Sequence, residues 1–370
     1  MSQRRGACPA LFTPMQTGDG LLARIVPAER ITPGAFAAFC AAARRHGNGT
    51  IEVSARGSMQ VRGLTAASAP RFADEVAALD IAALGVPVLS DPLPDDPVAL
   101  IDAGAMAAKL RTAIAKTDLA LAGDATTATP LGSIPVEAVT EIVVEVLRTI
   151  AAHGDLRASD VLRVDGLGAF SKLPHLQSDL FRLTARPPVE MIGVHPLRDG
   201  RRALGVGLAF GHADAKSLVT LAESAAAHGA RAIQPAPARA LLLVGISEHN
   251  IAAMTHEAER LGFVTRTDDP RRRIVACPGA PACASGFIAA RAIASEIAET
   301  MAEPWSGTIH ISGCAKGCAH PRPAALTIVG TERGCGIVEH GTARAATQTH
   351  VDPQDLTTCL AHRLREHAHV

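Results

Sequence analysis

Four cysteines near the end of the chain have the spacing that most directly indicates chemistry. Cys277 and Cys283 form a C-x5-C pair, and Cys314 and Cys318 form a C-x3-C pair. Both pairs lie among glycine, proline and small residues, which let backbone N–H groups approach a negatively charged cluster closely. Cys314 and Cys318 would share one face of a short helix. The pattern predicts an iron–sulfur cluster and single-electron transfer; zinc is the alternative, although zinc ligand pairs usually have shorter gaps.

The other cysteines do not extend this pattern. Cys40 and Cys359 lie in alanine-rich helical patterns and are predicted to be packing residues, whereas Cys335 is assigned to a glycine-rich turn without a partner. Cys8 lies near the N-terminus, and no role is derived for it. Eight cysteines without a signal sequence favour reduced thiols that serve a metal over a disulfide framework.

Composition favours a soluble enzyme of two to three domains. The chain has 370 residues, 48% of them hydrophobic, and a formal net charge of zero, so no nucleic-acid partner is indicated. No stretch approaches the roughly 18 uncharged apolar residues of a membrane span, and the first residues have no apolar signal region. We therefore expect a cytoplasmic protein that does not bind a membrane.

An internal repeat organises the chain. Residues 20–64 superpose without a gap on residues 202–246 at an offset of 182, placing His46 on His228 and Ile51 on Ile233. Each copy is predicted to hold a strand (21–26; 204–210), a helix (33–45; 215–228) that ends at Gly47 or Gly229, and two further strands. One copy cannot bury its apolar face alone, so the two are expected to pair across a pseudo-two-fold axis in one α+β layer.

Each copy is followed by a second segment. Residues 89–93 correspond to residues 275–279, so Asp91 occupies the place that Cys277 has in the later copy. The first half of the chain is therefore expected to resemble the second but to bind no cluster. A helix predicted over residues 99–116, opened by Pro97, parallels one over residues 287–301.

The two cysteine segments resemble the cluster motif of the siroheme-dependent sulfite and nitrite reductases. Residues 312–321, 5–9, 17–22 and 55–64 are similar to a branch of that superfamily, the precorrin-3B synthase family of aerobic cobalamin biosynthesis. The resemblance implies an α+β, nitrite/sulfite reductase-like fold, in which two ferredoxin-like half-repeats pair into one domain beside two α/β domains. It also implies a [4Fe–4S] cluster in the C-terminal α/β domain, with Cys318 at the position that bridges cluster and tetrapyrrole iron.

This resemblance gives a predicted division of the chain. The first half-repeat spans residues 1–66, the first α/β domain 67–200, the second half-repeat 201–247 and the cluster-binding α/β domain 248–370. Relatives usually continue into a further strand where this chain passes from Ala122 into residues 123–132. The first α/β domain is therefore expected to be shortened, and lysines that relatives contribute there have no counterpart.

Five basic or polar residues are candidates for contacts to a tetrapyrrole: Arg24, Arg56, Gln60, Arg62 and Lys316. Guanidinium groups bind carboxylates bidentately, and the resemblance places Arg56 and Arg62 in the segment that reaches the carboxylates of the macrocycle. Strand alternation puts Gln60 and Arg62 on the face opposite to Met59 and Val61, which also fits a solvated strand face.

Each remaining candidate also has a simple structural explanation. Arg24 lies within an apolar strand and needs a partner. Lys316 would offset cluster charge or meet a carboxylate, unless it is only a surface lysine. His320 is expected to be structural rather than an iron ligand, Asp19 a turn residue, and the arginines at 271–273 a solvated charge run. The 31 Arg against 5 Lys would suit a substrate with many carboxylates, but a generally arginine-rich composition explains this ratio as well.

Three functions are compatible with these residues. The first is an iron–sulfur monooxygenase that converts precorrin-3A to precorrin-3B, hydroxylating the ring with dioxygen and closing a lactone. The second is a siroheme-dependent assimilatory sulfite or nitrite reductase; however, the chain has Ala55-Arg56-Gly57 where such reductases usually have Thr-Arg-Gln. The third is a cluster-bearing scaffold or redox sensor without turnover.

The sequence assigns no catalytic residue. The monooxygenase would use a mononuclear iron, but the 15 histidines show no 2-His-1-carboxylate spacing that identifies its ligands. No glycine-rich dinucleotide motif follows a strand, so electrons from NADH are expected through a separate electron-donor protein. The resemblance supplies the tetrapyrrole and dioxygen as substrates, with siroheme only in the reductase alternative.

Overall fold

The computed structural model describes most of the chain. The described residues are 9–27, 30–83, 88, 93, 96–97, 102–117, 134–153, 158–171, 173–174, 189–301, 307–347, 349–356 and 358–360. They form two compact units, one made of residues 1–82 and 190–370, the other of residues 83–189. The four-part division given above stays a prediction.

The first half-repeat has the alternating pattern of a sheet covered on one side by helices. Its elements are β1 (Met15–Thr17), β2 (Gly20–Ile25), α1 (Pro33–His46), β3 (Thr50–Val53), β4 (Met59–Leu64) and α2 (Ser68–Ala78). Ala23, Ile51 and Val61 lie in the core with Phe36 and Phe39 of α1. Alternate residues of each strand therefore face the helices, and the residues between them face the other way.

The unit of residues 83–189 is helical in its described part. It contains α3 (Ala103–Ile114), α4 (Val139–Ala152) and α5 (Ala158–Asp165). Asp102 caps α3 by accepting a hydrogen bond from the Ala105 N–H, so the start predicted at Pro97 is wrong: a side-chain cap fixes the first turn five residues later. Asp91 and residues 123–132, on which two predictions rest, lie outside the described residues.

The second half-repeat confirms the repeat found in the sequence. Its elements are β5 (Gly193–Pro196), β6 (Arg202–Gly207), β7 (His212–Asp214), α6 (Ala215–Ala227), β8 (Ala232–Ala236) and β9 (Ala240–Ile246). The bounds of β2 and β6 differ by the same 182 residues as the sequence copies, and so do the helix N-caps Thr32 and Asp214.

The two copies are joined by reciprocal strand contacts. In one sheet, of order β1-β2-β4-β3-β7, the second copy's β7 pairs with β3 and places Ala213 opposite Ile51. Ile31, the residue equivalent to Ala213, bridges to Ile233, the residue equivalent to Ile51. Helices α1 and α6 contribute to one shared hydrophobic core, as expected for pairing across a pseudo-two-fold axis.

Helix ends differ between the copies. Gly229 follows α6 with a φ of 89°, the left-handed conformation predicted there. Gly47 ends α1 in an extended conformation instead. A Cβ at Gly47 would come 2.5 Å from the Arg62 carbonyl oxygen, so close approach of β4 explains this glycine.

The remaining residues form an α/β layer. Its elements are α7 (Ile251–Arg260), β10 (Ile274–Ala276), α8 (Ala290–Thr300), β11 (Ile309–Ser312), β12 (Ala324–Thr331), β13 (Gly334–Gly341) and β14 (Thr349–Val351). The sheet order is β10-β11-β12-β13-β14, with β10, β11 and β12 parallel. No helix of the described residues is long and apolar enough to cross a membrane.

The predictions for the isolated cysteines have different outcomes. Cys40 is fully buried in α1 and Cys359 packs against the core of the α/β layer, so both are packing residues as predicted. The turn assignment of Cys335 is wrong, because the turn is made at Gly334 and Cys335 is a buried residue of β13 opposite Gly330.

Candidate functional site

The two cysteine pairs meet at one edge of the α/β layer. Cys277 directly follows β10, and Cys314 lies two residues after the parallel strand β11. The Cys277 N–H donates to the Ile311 carbonyl at 3.2 Å, and the Phe287 N–H donates to the Gly313 carbonyl at 2.8 Å. Parallel strands end at the same edge, so the loops that follow them are brought together.

Glycines allow these loops to touch through their backbones. A Cβ at Gly313 would lie 2.8 Å from the Gly279 Cα, one at Gly286 would lie 2.5 Å from the Ala280 nitrogen, and one at Gly330 would lie 2.4 Å from the Gly313 oxygen. Real Cβ atoms do not approach so closely, so each position requires glycine. The loops that carry the four cysteines are thus built from the small residues that the sequence places around the thiols.

The first half-repeat also reaches the cysteine loop. The Ala284 N–H donates to the carbonyl of Gly18 at 2.9 Å, and a Cβ at Gly18 would lie 2.3 Å from the Cys283 sulfur. The turn between β1 and β2 therefore lies directly against one of the candidate ligands.

All four thiols are free, and neighbouring thiols raise the pKa of Cys277 and Cys318. Burial raises the pKa of Cys277, as do Cys318 and Cys314, whereas N–H groups of Gly313 and Gly279 lower it. The Gly313 nitrogen is 3.0 Å from the Cys277 sulfur. Partial burial raises the pKa of Cys318, and Cys314 and then Cys283 add to the effect. Four thiols in loops of small residues, with backbone donors at Cys277, suit the ligation of an iron–sulfur cluster.

Within the ranges that the structure describes, no three His, Cys, Asp or Glu side chains converge closely enough to hold one metal ion.

A polar row crosses the sheet of the first half-repeat. Register pairs Arg24 of β2 with Gln60 of β4, Gln60 with Glu52 of β3, and Glu52 with His212 of β7. With its amide oriented to suit both neighbours, Gln60 accepts from Arg24 Nη2 at 2.9 Å and donates to Glu52 at 3.3 Å. The predicted alternation is confirmed, because Met59 and Val61 are fully buried on the opposite face.

Arg62 is held by an ion pair that the sequence did not reveal. Its Nε and Nη2 donate to the two carboxylate oxygens of Asp19 at 2.7 and 2.8 Å, and its Nη1 lies 3.5 Å from Glu52. The Asp19 side chain is only 3% exposed. Burial alone would raise the pKa of Asp19, but hydrogen bonds from Arg62 and Thr17 outweigh it and hold that pKa below its ordinary value.

Glu52 connects this sheet to the α/β layer. It accepts from Arg291 Nη2 of α8 at 2.7 Å, in addition to its contact with Arg62. Arg62 in turn lowers the pKa of Cys318, so the charge network extends to the cysteine loop. His212 is half-buried beside Arg291, and the loss of water and the nearby positive charge lower its pKa to about 3. Sequence analysis missed Glu52 and Arg291, whose positions in the chain are 239 residues apart.

The other predicted residues lie around this network. Arg56 is exposed on the loop between β3 and β4, outside the polar row. Lys316 is exposed, donates to Ser285 Oγ at 2.9 Å and lowers the pKa of Cys318. The His320 ring lies 5.6 Å from that of His310.

The arginines at 271–273 lie in a capped turn, whereas the sequence predicted a solvated charge run. Arg271 pairs with Asp269 at 2.6 Å, and Arg272 pairs with Glu190 at 2.7 Å. Both therefore have structural partners.

Fold and sequence define the class of protein. Residues 13–79 match the model of the nitrite/sulfite reductase ferredoxin-like half domain. The fold is similar to that of the Mycobacterium tuberculosis NirA protein, with a TM-score of 0.70 at 16% identity, covering 93% of this chain and 80% of that one. The molecule is thus nitrite/sulfite reductase-like in fold, as the sequence predicted.

Sequence comparison resolves the family within this class. The chain is 33% identical to a precorrin-3B synthase from Sinorhizobium sp over 97% of its own length and 88% of that protein. It belongs to the precorrin-3B synthase family. It is also 26% identical to sulfite reductase [ferredoxin] 2 of Mycolicibacterium paratuberculosis, but over 39% of this chain and 27% of that protein.

Proposed function

We propose that the protein is an oxidoreductase of cobalamin biosynthesis that converts precorrin-3A to precorrin-3B. The observation that carries the proposal is the group of four free thiols in glycine-lined loops, next to a charged sheet face, in a chain of the precorrin-3B synthase family. A reductase of sulfite or nitrite is less well supported, since the loop at Arg56 lacks two polar side chains common at such anion sites.

Cys277, Cys283, Cys314 and Cys318 would hold a [4Fe–4S] cluster. When bound, it would supply electrons singly to the reaction. The N–H groups of Gly313 and Gly279 stabilise the charge of the Cys277 sulfur, and Lys316 adds positive charge beside Cys318. The chain's own contribution is therefore a set of backbone donors and one cation around thiolates.

Cationic side chains would orient the macrocycle. The exposed Arg56 is available for a bidentate contact to a carboxylate, and Arg24 and Gln60 present polar atoms on the same sheet. Arg62 is engaged by Asp19, so it would act chiefly by positioning the turn that contains Gly18. Fixing a ring acetate next to the hydroxylated carbon would make lactone closure effectively intramolecular.

The overall reaction needs dioxygen and a reductant. One oxygen atom would enter the ring as a hydroxyl group and the other would leave as water, consuming two electrons and two protons. NADH, acting through a separate electron-donor protein, and a mononuclear iron complete the proposal. The residues described by the structure assign no ligands to that iron.

Anaerobic purification followed by visible spectroscopy and assay of iron and sulfide tests the proposal. A broad iron–sulfur absorption is expected without siroheme bands, and dioxygen should be consumed only when a trimethylated precorrin is added. Bound siroheme with sulfite-dependent electron uptake would select the reductase instead. Absence of both metal and inorganic sulfide would refute the cluster.

Two substitutions separate cluster binding from substrate binding. Cys314→Ser should abolish the cluster absorption and turnover, whereas Cys359→Ser, in a packing cysteine, should retain both. Arg56→Lys should weaken tetrapyrrole binding and leave the cluster spectrum unchanged. Unaltered affinity would remove Arg56 from the site.

A further inference from the structure

Arg239 has a backbone conformation that normally requires glycine. Its φ is 63°, in the left-handed region where a Cβ is disfavoured. The residue at the equivalent position of the first copy, 182 residues earlier, is Gly57, with a φ of 80°. Both loops therefore have a left-handed residue at this position, and only the second copy places a long charged side chain there. Strain of this kind persists where the side chain has a use.

The guanidinium of Arg239 has no anionic partner at contact distance. Among the residues that the structure describes, none makes a hydrogen bond or ion pair to it, and Glu52 acts on it only over a longer distance. Arg62 and Arg291, in the same region, are paired with Asp19 and Glu52. A half-buried cation without an acceptor is costly, because burial removes water that would otherwise solvate it.

Neighbouring residues make room for this side chain but do not neutralise it. A Cβ at Gly211 would lie 2.5 Å from the Cδ of Arg239, so glycine at position 211 leaves room for the Arg239 side chain. Arg239 is close enough to His310 to lower the pKa of that imidazole. His310 is fully buried, and neither of its ring nitrogens has a partner among the described residues. An imidazole carries no negative charge, so His310 does not neutralise the guanidinium.

The position of Arg239 connects it to the candidate site. The Ala238 N–H donates to the Ala55 carbonyl at 3.1 Å, and Arg56 forms a bridge with Pro237, so the loops carrying Arg56 and Arg239 pair with each other. A Cβ at Gly317, the residue before Cys318, would lie 3.8 Å from the Cε1 of His310, the imidazole beside Arg239. Arg239 therefore lies between the loop of Arg56 and the cysteine loop.

We infer that Arg239 binds a peripheral carboxylate of the tetrapyrrole substrate. This role rests on the proposed function. A planar guanidinium that is unpaired and held by a strained loop matches a carboxylate bidentately, and the ligand would supply the acceptor that the described residues do not. Arg56 and Arg239, on paired loops of the two copies, would then contact different carboxylates of one macrocycle.

Replacing Arg239 by the residue of the first copy gives the sharpest test. Uroporphyrin, a stable carboxylate-rich tetrapyrrole, and coproporphyrin, which has fewer carboxylates, serve as probes for the cluster-loaded protein. Arg239→Gly should weaken uroporphyrin binding by about 10- to 100-fold. The same change removes the backbone strain and the unpaired charge, so the Tm should rise by about 2 to 4 °C. A merely structural arginine would instead lower the Tm and leave affinity unchanged.

Ala238→Gly is the matched control. Ala238 also has a left-handed φ, 59°, and its replacement relieves strain without removing charge, so the Tm should rise at full affinity. Equal uroporphyrin affinity of Arg239→Gly and the wild type would overturn the role of Arg239 alone. The role would also be overturned if Arg239→Gly bound uroporphyrin normally but no longer bound sulfite, because the ligand of Arg239 would then be a small oxyanion. A wild-type protein that binds neither porphyrin would overturn the proposed function as well.

Discussion

The two half-repeats share a framework and differ on one face of their sheets. In the first copy Gln60 and Arg62 of β4 join Glu52 in a charged surface. Their counterparts in β9, Leu242 and Val244, are buried and apolar. Duplication thus provides two similar scaffolds, of which one keeps its second face for charges and the other uses it for packing.

The cover over each sheet explains this difference. At Gly205 of β6 an added Cβ would lie 1.6 Å from the Met191 carbonyl oxygen, so the backbone at Met191 lies directly against the sheet of the second copy. The first sheet instead meets Arg291 of α8 and the turn that carries Asp19. The charges of Arg24, Glu52, Arg62 and Arg291 are tolerated on this face because each has a partner of opposite sign or a matching amide.

The largest expected effect comes from making Arg62 like its counterpart Val244. Arg62→Val leaves the nearly inaccessible carboxylate of Asp19 without its cation, and loss of one partner of a buried pair costs about 3–5 kcal/mol. Urea denaturation should show this loss, and Asp19→Asn in the same chain should recover part of it. A loss below about 1 kcal/mol, as for a surface pair, would contradict the buried pairing.

Glu52→Gln converts another position to its counterpart, Gln234. Arg291 and Arg62 each lose a charged acceptor, so the free energy of unfolding should fall by about 2–3 kcal/mol. The reverse exchange, Gln234→Glu, should also destabilise the protein, because it adds a charge to the apolar copy. If Gln234→Glu were neutral in the same denaturation assay, the two faces would not differ as described.

Acid should weaken the charged copy selectively. The pKa of Asp19 is lower in the folded protein than in the unfolded chain, so its ionised form adds stability above the unfolded value, about pH 4. That stability is lost as pH falls through the folded pKa. Asp19→Asn should flatten this part of the dependence of unfolding free energy on pH; an unchanged profile would assign the acid sensitivity elsewhere.

The helix caps should give the smallest difference between the copies. Thr32 accepts one hydrogen bond, from the Ala35 N–H, whereas Asp214 accepts from the Lys216 and Ser217 N–H groups. Thr32→Ala and Asp214→Ala should each cost about 0.5–2 kcal/mol, with the larger loss at Asp214. Thermal unfolding of both variants would measure the order, and a reversed order would show that packing outweighs capping.

Sequence periodicity was sufficient for most elements of the half-repeats. Within one residue, the offset of 182 relates β2 to β6, β3 to β8, β4 to β9 and α1 to α6, because these elements are set by local signals. The offset fails for the register of β6 compared with that of β2. Arg24 pairs with Gln60, whereas its equivalent Val206 pairs with Leu241 and not with Leu242, the equivalent of Gln60. A slip of one residue reverses the face of a strand, and an ungapped superposition contains no signal for it.

The candidate site was predictable where its residues are close in sequence. Cysteine spacing identified four thiols that the fold brings together, but the partners of Arg62 and Glu52 depend on tertiary contacts between distant segments. Cys335 was misplaced for a related reason, since adjacent glycines suggested a longer turn than the one the strands form.

The reciprocal bridges of Ile31 to Ile233 and of Ile51 to Ala213 have an evolutionary consequence. Each copy borrows a short edge segment from the other, so neither completes its hydrogen bonding by itself. A single-copy ancestor could have met the same need as a symmetric homodimer, with one interface serving both subunits. Fusion of the two genes would then have released one subunit's face from binding and allowed it to become apolar.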